Sequence, residues 1–171
     1  PAIHLALGEL VSGAERANVK AWLNLGGILQ GSPLVDYFQV APQCWLFDAV
    51  VWFKGWRKDA VLGMGTPDSR ARFARLQLPA DMLVVNYLGI PLSGQISRHA
   101  ADKYPLLRAA GPNDGLTLLT DAMAPDSLTV VALGRDHFFA EDPQINEKTV
   151  ALMQLLITYL DQDLARDCKR S

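Results

Sequence analysis

Apolar runs and amphipathic stretches alternate along the chain, and each pattern indicates one kind of element. Residues 19–29, 82–88 and 127–133 are nearly continuous apolar runs, which is typical of strands buried on both faces of a sheet. Residues 2–16 and 142–164 instead repeat apolar side chains every three or four positions, which predicts helices. Strands that alternate with helices predict an α/β fold with a parallel sheet covered on both faces.

Polar residues follow the first and the third of these strands. Ser32 and Pro33 come after the first strand and predict a helix start, with Ser32 as the N-cap and Pro33 at the first helical position. Gly134 ends the third strand, and His137 lies just beyond it. Right-handed crossovers bring the carboxyl ends of parallel strands to one edge, where ligands of such sheets bind. We therefore expect functional residues at this edge.

Composition and charge restrict the classes of partner and cofactor. The 171 residues suffice for one domain with a core, and a net charge of −2 gives no support for a nucleic-acid partner. Cys44 and Cys168 show neither CxxC nor zinc spacing, and their pairing stays open. The longest apolar run, near 45–53, is interrupted by Asp48 and is too short to span a bilayer. The segment GGILQG lacks the residues of a nucleotide-binding loop, so we expect no cofactor and no metal.

His137 is the first candidate for chemistry. Histidine titrates near neutral pH without help and is the commonest general base in proteins, and a position after Gly134 at the sheet edge favours that role. In this interpretation Phe138 and Phe139 would shield the imidazole from water. The alternative is a loop-end histidine that is simply packed beside the two phenylalanines.

A catalytic histidine usually needs a carboxylate that fixes its tautomer. Asp114, in the turn sequence GPNDG, precedes the third strand and is the leading candidate, although Asn-Asp-Gly is equally typical of a plain turn. Asp136 is adjacent to the histidine and would point away from it on an extended chain. Asp121 and Asp126 are further candidates in turns.

Three stretches resemble one known family. GPNDGLTLLTDAM (111–123) and SLTVVALGRDHFFAEDP (127–143) are similar to the carboxyl-terminal half of an α/β-hydrolase of the esterase and lipase type, in which an acid follows the seventh strand and a histidine the eighth. LNLGGILQGSPLVDYF (23–38) resembles the stretch after the sixth strand. The resemblance implies that the sheet contains strands six to eight with flanking helices, and that Asp114 and His137 are the acid and base of a Ser-His-Asp triad.

The nucleophile of this family lies in Gly-x-Ser-x-Gly, on a sharp turn between a strand and a helix. Glycine does not stand both two before and two after any of the seven serines, which are Ser12, Ser32, Ser69, Ser93, Ser97, Ser127 and Ser171. The helix at 2–16 occupies the place of the family's nucleophile helix, so we expect the nucleophile immediately upstream of Pro1. Residues 1–171 would then be the carboxyl-terminal portion of one domain. We expect the sheet to be incomplete until an amino-terminal segment, or a separate chain, pairs with strand 19–29.

The aromatic segment 42–56 lies where the family places its lid, within a helical insertion at about 36–80. It is either a helix buried all round or an apolar cap over the substrate. In the second case we expect Trp45, Trp52, Phe53, Trp56 and Phe138 to contact the substrate. The resemblance implies a serine-type ester hydrolase that acts on a small-molecule ester or a lipid-like substrate. A catalytically silent binding or interaction domain is the alternative, and a relative that acts on amides or forms peroxy-acids is a third interpretation.

Overall fold

A computed structural model of the protein describes residues 12–40, 42, 44–92, 94–124, 126–139 and 142–167. Most of the predicted helix at 2–16 lies outside the described residues, as does Cys168. Within 12–16, Ser12 and Glu15 form a capping box that starts the short helix α1, Gly13–Arg16.

Three parallel strands form the sheet, in the order β1-β2-β3. They are β1 (Ala21–Leu25), β2 (Leu83–Ile90) and β3 (Leu128–Leu133). The predicted parallel sheet is confirmed, but the first strand is shorter than the apolar run 19–29. It ends at Leu25 because Gly26 turns to φ +57°, a left-handed conformation that glycine adopts without strain.

The helices connect and cover these strands. They are α2 (Pro33–Gln39), α3 (Cys44–Phe53), α4 (Lys58–Leu62), α5 (Thr66–Phe73), α6 (Tyr104–Arg108) and α7 (Ile145–Asp167), with a 3₁₀ turn at Leu119–Asp121. Ser32 caps α2 as expected, because its side chain accepts a hydrogen bond from the backbone N–H of Leu34 and Pro33 begins the helix. None of the helices in the described ranges is both long and apolar enough to cross a membrane.

Each face of the sheet buries its own apolar cluster, because side chains of a strand alternate between faces. On one face Trp22, Val84 and Met82 pack with Phe73 of α5. On the other, Tyr87 and Ala132 pack against Leu152 of α7, with Leu23 and Val130 beside them. The long closing helix therefore covers one side of the sheet, and the segment between β1 and β2 covers the other.

A row of polar side chains crosses the buried sheet between these apolar residues. Asn24, Asn86 and Thr129 stand opposite one another in the strand register. Asn24 donates to Asn86 Oδ1 at 3.2 Å, and Asn86 donates to Ser127 Oγ at 2.6 Å and to Thr129 Oγ1 at 3.3 Å. Asn24 also donates to the carbonyl of Ala122 at 3.1 Å. We call Asn24, Asn86 and Thr129 the asparagine row. The buried side-chain amides of this row find their hydrogen-bond partners only in the observed strand register.

The closing helix begins later than its sequence signal. The helical pattern predicted a start at residue 142, but α7 begins at Ile145. The Asp142 carboxylate accepts the backbone N–H of Gln144 at 3.0 Å and the Lys148 ammonium at 2.7 Å. Asp142 therefore stabilises the turn that enters the helix and holds the first helical turn from outside it.

Candidate active site

Asp114 and His137 meet at the carboxyl edge of the sheet. The Asp114 Oδ2 and His137 Nδ1 atoms are 2.9 Å apart, within hydrogen-bond distance. A second contact holds the same two residues, because the His137 backbone N–H donates to the Asp114 carbonyl at 2.8 Å. The Asp114 residue is 2 % exposed and the His137 side chain 16 %. The Asp114 carboxylate is thus shielded from solvent, and the His137 imidazole lies between it and the more exposed surface.

The loop around Asp114 orients its carboxylate. Oδ1 accepts two backbone N–H groups, from Leu116 at 3.0 Å and from Thr117 at 2.8 Å. Oδ2 is then left for the imidazole of His137. The turn-forming character of GPNDG and its acid role are therefore compatible, because one oxygen closes the turn and the other faces the histidine.

Asp136 builds the loop that carries His137. Its carboxylate accepts the backbone N–H of Ser97 at 2.7 Å and that of Phe138 at 3.1 Å, so it points away from the imidazole, as expected. Gly89 of β2 lies directly beneath, and a Cβ there would come within 2.7 Å of the Arg135 carbonyl oxygen. The sequence offered no signal for either role, since both contacts join residues far apart in the chain.

The two phenylalanines after His137 do different things. Phe138 meets the imidazole edge to face, with ring centroids 5.5 Å apart, and also lies 6.0 Å from the His99 ring. Phe139 turns away and stacks on Tyr87 at 5.4 Å, in the cluster beneath α7. The expectation that both rings shield the histidine is therefore wrong for Phe139, whose left-handed backbone (φ +46°) reverses the chain at that point.

The other candidate acids lie elsewhere. Asp121 forms an ion pair with Arg70, whose Nη2 is 2.8 Å from Asp121 Oδ2. The hydrogen bond with Asp121 raises the pKa of the Arg70 guanidinium. Asp126 is exposed and has a left-handed backbone, φ +50°. His137 is therefore bound to Asp114 rather than to either of them.

Four of the five aromatic residues in segment 42–56 are exposed, and Phe47 is half-buried. Trp45, Trp52 and Phe53 are 69 %, 83 % and 80 % exposed, and Trp56, just beyond α3, is exposed as well. The interpretation of this segment as a helix buried all round is wrong. The reason is that α3 packs mainly against α2 and α4, with Val51 as its buried residue, and so turns most of its apolar surface outward. Within the described part of the chain, no ring contact joins these aromatics to His137.

The imidazole has one side available for chemistry. Within the described residues His137 Nε2 has no hydrogen-bond partner, while Nδ1 is held by Asp114. None of the described serines donates to it, and Ser32 Oγ is instead committed to the Leu116 carbonyl. Such a histidine can accept a proton at Nε2 from a hydroxyl placed beside it. Across the described ranges no group of three His, Cys, Asp or Glu side chains could hold a metal ion.

Two open grooves lie away from the Asp114–His137 pair. One of about 580 Å³ runs between β3 and α7 and is lined by residues such as Val131, Leu133, Leu152 and Leu155. A second, of about 510 Å³, is lined by Phe73, Met123 and Ser127 among others. Neither groove is lined by Asp114 or His137.

Comparison with known proteins supports the fold. No family model and no curated protein matches the sequence. Among solved structures, the mature lipase BlEst2 of Bacillus licheniformis is similar with a TM-score of 0.63 and 21 % identity, over 87 % of this chain and 60 % of that one. A metagenomic carboxyl esterase matches with a TM-score of 0.68 and 20 % identity, over 94 % of this chain and 53 % of that one.

The propeptide form of BlEst2 also matches, with a TM-score of 0.63 and 22 % identity, over 79 % of this chain and 29 % of that one. The chain thus spans between about three tenths and three fifths of the length of the lipases and esterases that it resembles. The parallel order of three strands and these structural likenesses agree. The chain therefore has the fold of the carboxyl-terminal part of an α/β-hydrolase of the esterase and lipase type.

Proposed function

We propose that this chain supplies the acid and the base of a serine-type ester hydrolase. The observation that carries the proposal is the Asp114 Oδ2–His137 Nδ1 contact of 2.9 Å, next to an Nε2 without a partner among the described residues. Lipases and esterases among the structural neighbours support an ester as the substrate. We further propose that the nucleophilic serine lies upstream of Pro1, since none of the seven serines of residues 1–171 stands in Gly-x-Ser-x-Gly.

The reaction follows from the geometry of the pair. Nε2 of His137 takes the proton of the serine hydroxyl as its oxygen attacks the ester carbonyl carbon, and it returns that proton to the leaving alcohol. Water then repeats the sequence on the acyl-enzyme, with His137 again as base. Asp114 keeps the Nδ1 proton on the far side of the ring and stabilises the imidazolium that forms. Backbone N–H groups upstream would stabilise the oxyanion.

The substrate class follows from apolar side chains near the insertion and the site. Trp45, Trp52, Phe53 and Trp56 present an exposed aromatic surface, and Phe138 lies against the catalytic imidazole. Aromatic surfaces of this kind bury acyl chains or other apolar groups. We therefore propose a small-molecule ester or a lipid-like ester as substrate, with the 36–80 insertion as a lid.

An amino-terminal segment of the same protein, or a separate chain, is the proposed partner. It would pair with β1, whose outer edge has no strand beside it in the described sheet. Such an edge leaves a row of backbone donors and acceptors without ladder partners. The fractions of the lipase and esterase chains that this chain covers are consistent with a partial domain.

The test is ester turnover by the complete protein and by its His137→Ala variant. Short and medium p-nitrophenyl esters report turnover, and a fluorophosphonate reports an activated serine. We expect His137→Ala to lose turnover while its thermal midpoint stays near that of the parent protein. His99→Ala is the matched control, because its ring is exposed and lies 6.0 Å from Phe138. Full turnover in His137→Ala contradicts the proposal, and no turnover or labelling in the parent protein favours the silent binding domain.

A further inference from the structure

Two buried hydroxyls join the Asp114 loop to the segment that follows β1. Thr117 Oγ1 donates to the Gly31 carbonyl at 2.8 Å, and Ser32 Oγ donates to the Leu116 carbonyl. Both hydroxyl residues are fully buried, with no measurable exposure. We refer to these two hydrogen bonds as the loop tether. They connect residues 84 and 86 positions apart in the chain.

The loop tether acts on the same two residues that hold the acid. Leu116 and Thr117 provide the backbone N–H groups that bind Asp114 Oδ1. The Asp114 N–H in turn donates to the Thr117 carbonyl at 3.1 Å. Each of the two residues is therefore bound on one side to the carboxylate and on the other to the segment after β1. Movement of either would rotate the carboxylate away from His137.

The end of the tether on the β1 side is itself fixed. Gly31 has φ +92°, and a Cβ there would come within 2.7 Å of both the Gly65 carbonyl oxygen and Thr66 Cα. A side chain is thus excluded, and the backbone approaches the start of α5 closely. The Ser32 N–H donates to the Met64 carbonyl at 2.9 Å. The Gly31 carbonyl therefore lies in a segment that close backbone contacts and a hydrogen bond hold in place.

We propose that Ser32 and Thr117 are positioning residues, which orient the Asp114 carboxylate toward His137 through the loop tether. The inference rests on the proposed hydrolase function for its kinetic consequence, but the geometric claim stands apart from it. Neither side chain touches the imidazole. Their effect is on the direction of Oδ2, because the peptide units of 116 and 117 determine where Oδ1 is held.

The discriminating variants are Thr117→Val, which removes the hydroxyl at nearly constant shape, and Thr117→Ser, which keeps it. Ser32→Ala tests the second hydrogen bond. Thr149→Val and Ser69→Ala are matched controls, because each removes a hydroxyl that donates to a backbone carbonyl outside the tether, at Ile145 and Gly63. All are made in the complete protein.

The first readout is the strongly deshielded proton NMR signal of the His137 Nδ1–H, identified by its loss in His137→Ala. We expect the signal to disappear or shift in Thr117→Val and Ser32→Ala, and to remain in Thr117→Ser and in both controls. The second readout is ester turnover. We expect kcat to fall about 10- to 100-fold in Thr117→Val with KM within about twofold, since small misplacements of catalytic groups have effects of this size, and Thr117→Ser to restore it.

The outcomes separate the two proposals. A parent protein without turnover whose NMR signal still depends on Thr117 leaves the positioning role standing and overturns the hydrolase function. An unchanged signal and unchanged kcat in Thr117→Val overturn the positioning role and leave the hydrolase. If Thr117→Val does not fold, Ser32→Ala decides by the same two readouts. Loss of folding in both variants would make the hydroxyls purely structural and would also overturn the proposal.

Discussion

Asp114 divides its two carboxylate oxygens between two tasks. Oδ1 is saturated by two backbone N–H donors, and Oδ2 alone faces His137 Nδ1. An amide at this position cannot do both in the same way, because only one of its two terminal atoms accepts hydrogen bonds. Position 114 therefore requires aspartate, and asparagine cannot replace it without loss of one of the two interactions.

We expect Asp114→Asn to reduce kcat by about 10⁴, as loss of tautomer control does in a well-studied triad. The asparagine oxygen would stay with the N–H groups of Leu116 and Thr117, which places its NH₂ against His137 Nδ1. The imidazole would then carry its proton on Nε2 and could not act as a base. Ester turnover measures the effect, and Asp126→Asn is the control at an exposed acid. Equal turnover in the two variants would contradict the role of Asp114.

Trp52 belongs to the exposed aromatic surface, so its truncation should act on the substrate rather than on the fold. We expect Trp52→Ala to weaken turnover of long-chain esters more than of short-chain esters, with little change in the free energy of unfolding. Trp22→Ala is the contrast, since that ring is buried in the core and its removal should cost about 3–5 kcal/mol. Chain-length profiles and urea denaturation give the two quantities. Equal losses on short and long esters, together with lowered stability, would show that Trp52 serves packing.

At the scale of single residues, the sequence predicts the candidate catalytic residues next to the strands better than the residues that position them. Asp114 and His137 could be nominated because a turn acid and a glycine-terminated loop flank the third strand. The roles of Asp136 and Thr117 could not, since each depends on a contact with a residue at least 39 positions away. Such contacts leave no mark on local periodicity or turn composition.

Among the elements, α3 shows where pattern analysis fails. Its residues are apolar on nearly every side, and an amphipathic stripe that would identify the buried face is therefore lacking. A helix of this kind is compatible with complete burial or with an exposed apolar surface. Only its neighbours decide, and here α2 and α4 cover little more than Val51. The strands and α7, by contrast, were predicted within a few residues because their periodicity is clear.

The entry to α7 is held by charges that should make it sensitive to acid. The Lys148 ammonium lowers the pKa of the Asp142 carboxyl, and the Gln144 N–H and Arg135 act in the same direction. A carboxyl whose pKa is lowered by folding stabilises the folded protein at every pH above the pKa of that carboxyl in the unfolded chain, about 3.9. This stabilisation is lost as the pH falls through the pKa of the folded state.

We therefore expect Lys148→Met to lower the free energy of unfolding at pH 7. The difference from the parent protein should shrink steadily as the pH falls below about 4, because the protonated Asp142 no longer attracts the ammonium. Urea denaturation over this pH range measures it. Lys58→Met is a suitable control, since its partner Asp48 is exposed and such pairs contribute little. A difference that does not depend on pH would assign the effect of Lys148 to packing alone.

At the scale of the whole molecule, apolar surface remains uncovered on several sides. Leu133 of β3 and Val150 and Ile157 of α7 are more than half exposed, as are Trp45, Trp52 and Phe53 of α3. Exposed apolar patches of this extent usually mark surfaces that contact other parts of a protein or a partner. The parallel order of the strands was predictable from the apolar runs. Which edge of the sheet pairs with a further strand could not be predicted, because that depends on residues outside this sequence.

We expect residues 1–171, expressed alone, to associate or to melt without a cooperative transition, whereas the complete protein melts cooperatively. The reason is the open edge of β1, which the proposed amino-terminal segment would pair. Sedimentation and calorimetry measure association and cooperativity. Co-expression of the upstream segment as a separate chain should restore a single transition. A monomeric and cooperatively melting 1–171 would show that β1 needs no such partner.

The asparagine row fixes the register of the three strands, and with it the position at which each strand ends relative to its neighbours. A strand advances about 3.3 Å per residue, and the shortest slip that keeps every side chain on its own face is two residues, or about 6.6 Å. In one direction, such a slip of β3 would place Val131 opposite Asn86 and remove the hydroxyl acceptors Ser127 and Thr129 from the Asn86 NH₂ group, at a cost of about 1–3 kcal/mol. It would also carry His137 out of reach of Asp114. Natural selection for an active acid–base pair would therefore also act on Asn86, whose own hydrogen bonds all lie within the sheet and the segment 124–129.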